Sequence, residues 1–238
     1  MYYSDLGDNA KADFLQYTIS SLLLIDLPDG DILNMFARLN TYSVKLNNQE
    51  LLNSQYFGYY KQLVYRLASE YGTFWIDNKI LSEKAMSRMD DAKFISDIML
   101  TIVSGDIISN TMAMNERYHK RYDDEFPQSE IIEQNIKKAI DLLDKLYEGA
   151  LSETSFKQIP LLYSTILVLY HMYNPIDCFI EFDINYDDRI ISRLKTALDE
   201  IDTLVAEGGS DDPAKEAFIL TFKKIPPHLM FVLVGVHL

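Results

Sequence analysis

The chain has 238 residues, of which 48% are hydrophobic and 24% charged, enough for a sizeable core and ordinary for a folded globular protein. A formal charge of −14 argues against sequence-independent nucleic-acid binding, which draws its energy from Lys and Arg neutralising phosphates. The single cysteine, Cys178, excludes an intramolecular disulfide framework and a thiolate zinc site, and this fits a reducing cytoplasm.

At the N-terminus, Met1-Tyr2-Tyr3-Ser4-Asp5 has no basic stretch followed by an apolar core, so no secretory signal is expected. Leu22-Leu23-Leu24-Ile25 is a continuous apolar run, as in a strand buried on both faces. Such a strand needs neighbours, and the chain offers few. Residues 178–184 alternate apolar and polar like a half-buried strand, and the apolar tail 226–238 is shorter than the roughly 18 residues a bilayer span requires. Either the run belongs to a sheet whose other strands lie outside this polypeptide, or it is a short buried helix or loop-like segment. In the first case the isolated chain self-associates through Leu22, Leu23, Leu24 and Ile25.

From Asp29 or Asp31 the pattern turns helical, with Ile32, Met35, Phe36 and Leu39 at helix spacing and an end near Asn40. A polar loop follows. Asn47 is placed to cap the next helix, Glu50 three residues on to close a capping box, and Leu46 and Leu51 to staple it. That helix is expected over 49–71, stopped by Gly72, and a further one over 83–103, capped by Ser82, with Met86, Met89, Phe94, Ile98 and Ile102 as its buried stripe and Gly105 beyond its end. Residues 106–125 are less periodic. Their patch Glu116-Arg117-Tyr118-His119-Lys120-Arg121-Tyr122 mixes basic and aromatic side chains as a nucleic-acid site does, but Asp123-Asp124-Glu125 cancels the charge and favours a solvated helix face. Ile132, Ile136, Ala139, Ile140, Leu143, Leu146 and Tyr147 mark an amphipathic helix, and 156–172, apolar nearly all round, the centre of a bundle. Asp187 or Asp188 caps a helix bearing Ile191, Leu194, Leu198, Ile201 and Val205, and Asp212-Pro213 starts a last one.

Catalytic constellations are scarce. His119, His171, His228 and His237 have no partner at zinc-helix spacing, and there is no phosphate-cradling Gly-rich loop or nucleophile elbow. Pairs such as Asp90-Asp91 are explained by the helix dipole. His171, at the end of the most apolar helix, reads as a satisfied buried imidazole, and Cys178 as a small buried hydrophobe.

The segment Ile32-Leu33-Asn34-Met35-Phe36-Ala37-Arg38-Leu39-Asn40-Thr41, continuing at Val44-Lys45-Leu46-Asn47-Asn48-Gln49-Glu50-Leu51-Leu52-Asn53, resembles the "FxRLNTgG-v-LNxQELrNA" signature of a bacterial family that includes the GmrSD-type modification-dependent restriction proteins and phosphorothioate-sensing anti-phage nickases. Residues 17–25 resemble the family's strand before the signature, and Arg88-Met89-Asp90-Asp91-Ala92-Lys93-Phe94 its "R-M-x-d-x-E" helix. The resemblance covers about residues 5–105. The "QR-x-y-x-W" and "LDGQQR" elements of the family's ParB-like domain, to which nucleotide hydrolysis is attributed, are missing, as is the His-rich HNH nuclease signature. Tyr42-Ser43 stands where the family has Gly-Gly, and Leu52 where it has Arg.

The resemblance implies a mainly α multi-helix bundle with a short N-terminal strand left over from a missing α/β domain: a remnant segment at 1–27 and a helical domain at 28–238, with a sub-boundary near 125–128. It implies a cytoplasmic scaffold or interaction part of a phage-defence protein, with no catalysis, metal or cofactor of its own, a nucleotide belonging only to a full-length relative. Arg38, Asn40, Thr41, Lys45, Asn47, Gln49, Glu50 and Asn53 are its matched residues, either a polar wall facing an upstream ParB-like domain or partner chain, or plain loop and cap hydrogen bonding. The open alternative is a helical protein-binding domain unrelated to DNA.

Overall fold

The computed structural model describes residues 6–21, 46–108, 110–180 and 188–207, the last with side chains from 191, together with positions 3, 23, 28, 31, 32 and 35. Two compact units divide the chain, residues 1–45 and 46–238. The described residues are mainly helical, with no strand among them.

In the first unit, α1 (Asp8–Gln16) carries an acid in its first turn and buries none of its side chains. Residues 17–21 follow without regular structure, and Leu23 is exposed. Asp31, Ile32 and Met35 are helical, as the spacing predicts. The rest of the expected strand (Leu22, Leu24, Ile25) and the residues Arg38, Asn40, Thr41 and Lys45 lie outside the described residues, as do His228, His237 and the tail.

The second unit is a helical bundle: α2 (Asn48–Gln55), α3 (Tyr59–Glu70), α4 (Gly72–Asp77), α5 (Glu83–Met86), α6 (Asp90–Ser104), α7 (Met112–Arg121), α8 (Ser129–Tyr147), α9 (Ile159–Tyr173) and α10 (Asp188–Glu207). At its centre is α9, buried at every position from 161 to 172. Proline in its first turn suits a helix start, and the Ser164 and Thr165 hydroxyls donate back to the Pro160 and Leu161 carbonyls at 3.1 and 2.8 Å, so its two small polar groups cost little. Against it lie α8 and α6, with α3 packed on both of those. The α8 stripe is the predicted one: Ile132, Ile136, Ala139, Ile140, Leu143 and Tyr147 are buried. Each large apolar side chain so buried contributes about 1.5–3 kcal/mol.

Two expected helices are each broken in two. The helix over 49–71 stops at Tyr56, whose backbone is extended (φ −120°, ψ 148°), and resumes at Tyr59. Here the chain after α7 approaches so closely that the Tyr59 and Tyr60 N–H groups donate to the Asp123 and Tyr122 carbonyls, both at 3.2 Å. Those carbonyls serve as the cap of α3, and a Cβ on Gly58 would collide with the backbone and carboxylate of Asp123. The helix over 83–103 divides at Met89, which sits in the left-handed region (φ 63°), leaving Ser82 to cap only the short α5. Gly105 ends α6 at φ 68°, as its position predicts.

A third departure lies at 178–180, the described part of the expected strand; residues 181–184 lie outside the described residues. Cys178 and Phe179 belong to a 3₁₀ turn (Asp177–Phe179) rather than a strand, because Phe179 turns into the core while the Cys178 N–H donates to the Gly105 carbonyl at 2.9 Å. No helix among the described residues is long and apolar enough to cross a membrane.

Candidate functional site: an amide-lined cleft

The start of α2 is built as the sequence predicts. Asn47 Oδ1 accepts from the Glu50 N–H at 2.8 Å, and Glu50 Oε2 accepts from the Asn47 N–H at 2.7 Å. The structure adds long-range partners to both residues. Asn47 Nδ2 donates to the Arg88 carbonyl at 2.7 Å, and Glu50 Oε1 pairs with the Arg88 guanidinium at 3.0 Å. One residue on, Met89 Sδ lies 3.5 Å from the Tyr65 hydroxyl, which also accepts from Gln49 Nε2 at 3.3 Å. Burial pushes the Tyr65 phenol up to about 12 against the opposing hydrogen bond from Gln49, so it stays a neutral hydroxyl. Left-handed Met89 is what turns the chain at this junction, so that α6 begins beside α2.

Between these elements lies a cleft of about 360 Å³. Asn47, Asn48, Gln49 and Leu52 line it from α2, Asp90 and Lys93 from α6, and Asn110, Met112 and Asn115 from the start of α7. Its floor is a hydrogen-bonded chain. Asn110 donates to the Asp97 carboxylate, Asn115 donates to Asn110 Oδ1 and to the Thr111 carbonyl, and the Ser96 hydroxyl donates to Asn115 Oδ1 at 2.8 Å. Burial raises the Asp97 carboxyl, while Asn110 and the Lys93 charge hold it down. Thr111 caps α7 by accepting from the Met114 N–H, which fixes where Asn115 stands.

Of the eight candidate residues, the structure brings Asn47 and Gln49 to the lining of this cleft, with Glu50 next to them and paired with Arg88. Asn53 is half-buried on α2 and contributes its backbone carbonyl, which accepts from Lys61 Nζ at 2.7 Å. Sequence reasoning missed Asn110, Asn115, Asp97 and Tyr65. Only Thr111, a capping residue three positions before Met114, carried a readable local signal.

The basic-aromatic patch divides cleanly. Arg117, Lys120 and Arg121 are exposed, while Tyr118, His119 and Tyr122 are buried, so the rings that would stack on bases are core. His119 stacks on Tyr56 at 4.9 Å and meets Tyr60 edge-on at 4.9 Å. Neither of its ring nitrogens has a hydrogen-bond partner among the described residues, and burial, helped by the Lys61 charge, pushes the imidazole down to about 4. His171 is satisfied as expected: its Nδ1 accepts from the Ile176 N–H at 2.9 Å. Cys178 is half-buried, and burial with the nearby Asp106 raises its thiol to about 11. Asp90 and Asp91 occupy the first turn of α6, where the helix dipole favours them. No group of three or more metal-ligating side chains occurs among the described residues. No protein-family model, curated protein or solved structure matches the chain.

Proposed function

We propose that this chain is the helical scaffold and interaction part of a modification-dependent restriction protein of the GmrSD type, with no catalysis of its own. In this reading Asn47, Gln49, Glu50 and the cleft beside them face a ParB-like hydrolytic domain. One observation carries it. The two separate segments that resemble the family, residues 47–53 and 88–94, meet in space through the Asn47 to Arg88 hydrogen bond and the Glu50–Arg88 ion pair. A segment that only capped its own helix would need Asn47 and Glu50 but no partner 41 residues away.

A direct test mixes the purified chain with the ParB-like domain of a GmrSD-type protein and follows association by sedimentation velocity. A one-to-one complex, weakened when exposed Asn48 is changed to Arg, is the expected result. Turnover of GTP or ATP by the chain alone, abolished by Arg38→Ala, would overturn the scaffold reading. An open reading frame immediately upstream encoding a DGQQR-type element is expected as well.

A second reading, a protein-binding helical domain unrelated to DNA, is favoured by the burial of Tyr118, His119 and Tyr122, which leaves the basic patch without a stacking surface. Failure to bind any ParB-like domain, with no nucleotide turnover, selects it.

A further inference from the structure

The cleft is anionic, and one acceptor on its wall is left over by the fold. Asp90 and Lys93 line it and Asp97 lies in its floor, two carboxylates to one cation, and the Lys93 charge already acts on Asp97 one turn on. The helix starts that border the space do not reverse this sign. Asn47 and Thr111 cap α2 and α7, and the Asp91 carboxylate accepts from the Asp91 and Ala92 N–H groups at the start of α6. Asp90 is left with no ion pair and no hydrogen bond to a described residue. Gln49 points the same way. The Tyr65 O–H donates to the Gln49 main-chain carbonyl at 3.2 Å or to Met89 Sδ at 3.5 Å, so the carboxamide meets that hydroxyl with its Nε2 donor, at 3.3 Å. Its Oε1 is thereby left over: Gln49 is 5% exposed and lines the cleft, and this oxygen accepts from no described residue. Leu52 and Met112 add apolar surface to the same space.

We propose that the cleft receives the side chain of an arginine carried by a partner polypeptide, with the guanidinium between the Asp90 carboxylate and Gln49 Oε1 and the methylene stem along Leu52 and Met112. An arginine side chain is an apolar stem ending in a planar cation that only donates, and the cleft sets an apolar wall beside a carboxylate and a carboxamide oxygen that only accept. The two acceptors belong to different helices, α2 and α6, which a five-donor fork bridges and a compact ammonium serves less well. A hard metal cation takes about six or more oxygen ligands, more than Asp90 and Gln49 provide. The volume of about 360 Å³ suits one long side chain rather than a whole helix, whose diameter is about 10 Å. The inference rests on the reading of this chain as an interaction part, and it names the chemistry of the group that enters the cleft rather than the identity of its bearer.

The isotope-labelled full chain, titrated with the capped peptide acetyl-Gly-Arg-Gly-amide and followed by the NMR shifts of its backbone and carboxamide groups, tests it. Saturable shifts confined to the residues lining the cleft are expected. The citrulline peptide, which keeps the shape and loses the charge, should bind at least about tenfold more weakly, as should the arginine peptide to Asp90→Asn, about the worth of one charge-assisted contact. The lysine peptide should also bind more weakly than the arginine one. Lys93→Ala, which removes the opposing charge from an exposed position, should tighten arginine binding, the reverse of what an anion site would do. Asp124→Asn, at an exposed acid outside the cleft, should change nothing, and far-ultraviolet circular dichroism of the variants establishes that the helices persist. No saturable shifts, citrulline or lysine binding as tight as arginine, weaker binding by Lys93→Ala, indifference to Asp90→Asn or an equal effect of Asp124→Asn overturns the site. Arginine-peptide binding by a chain that associates with no ParB-like domain leaves this inference standing and removes only the restriction-protein assignment, whereas association with that domain and no peptide binding does the opposite.

Discussion

Replacing His119 by Phe removes a titrating ring from the middle of an aromatic cluster without deleting a hydrogen bond to any described residue, since neither imidazole nitrogen has a partner among them. The ring is 1% exposed, between Tyr56 and Tyr60, with Lys61 disfavouring its protonation and Asp123 favouring it more weakly. Its proton affinity falls from the ordinary 6.5 to about 4 on folding. The unfolded chain therefore binds this proton first as pH drops, and stability is lost between pH 6.5 and about 4, with the full loss below that window. At about 1.36 kcal/mol for each pH unit, the limit is on the order of 3 kcal/mol. Urea unfolding of the natural chain and of His119→Phe at pH 7.5, 5.5 and 4.5 is the assay. The two should differ little at the top of that range, with the Phe variant gaining progressively as pH falls. Carboxylates titrate in both proteins and cancel in the difference. Parallel pH profiles would refute the claim that a neutral, unpartnered imidazole is buried here.

Gly58→Ala places a Cβ against the Asp123 backbone, which cannot yield as a flexible side chain would. A loss of about 1–3 kcal/mol is expected, read as a lowered Tm at roughly 2–4 °C per kcal/mol for a chain of this size. Asn47→Ala deletes both the cap of α2 and the donor to the Arg88 carbonyl, and should cost about 1–2 kcal/mol in urea unfolding. Asn47→Asp keeps the cap acceptor and loses only the donor, so an equal loss in the two variants would place the energy in the contact to Arg88. Cys178, with its thiol raised to about 11 from 9.0, should react with a disulfide reagent at pH 8 about tenfold more slowly than its urea-unfolded form, the scarcer thiolate being partly offset by its greater nucleophilicity. Equal rates would show that the thiolate is not suppressed.

The helices that were legible are those whose apolar residues repeat over many turns. The stripe of α8, the all-round apolar α9 and the Leu194, Leu198 and Ile201 face of α10 could be read directly, because a helix needs only its own spacing to declare which side it buries. The Asn47–Glu50 capping box and the Gly105 terminus were equally local, each closed by atoms within a turn. The breaks at Tyr56 and Met89 were not legible. One depends on the Tyr122 and Asp123 carbonyls arriving from the far end of α7, and the other on a left-handed methionine that no composition rule anticipates. Strand-like alternation at 178 misled for a related reason, since the Gly105 carbonyl and a core position for Phe179 settled the conformation.

The candidate site divides along the same line. Sequence by itself determined that α2 begins at an Asn47 cap and that Asn47, Gln49 and Glu50 stand together, because those residues are neighbours along one turn. Tertiary structure alone decided that Arg88, Asp90 and Lys93 face them, and that Asn110 and Asn115, some sixty residues further along, close the floor. It also decided that the aromatic half of the basic patch is core rather than surface. The physical reason is that capping is satisfied within a few residues, whereas a cleft exists only where separate helix starts are brought side by side by the packing of α6, α7 and α2.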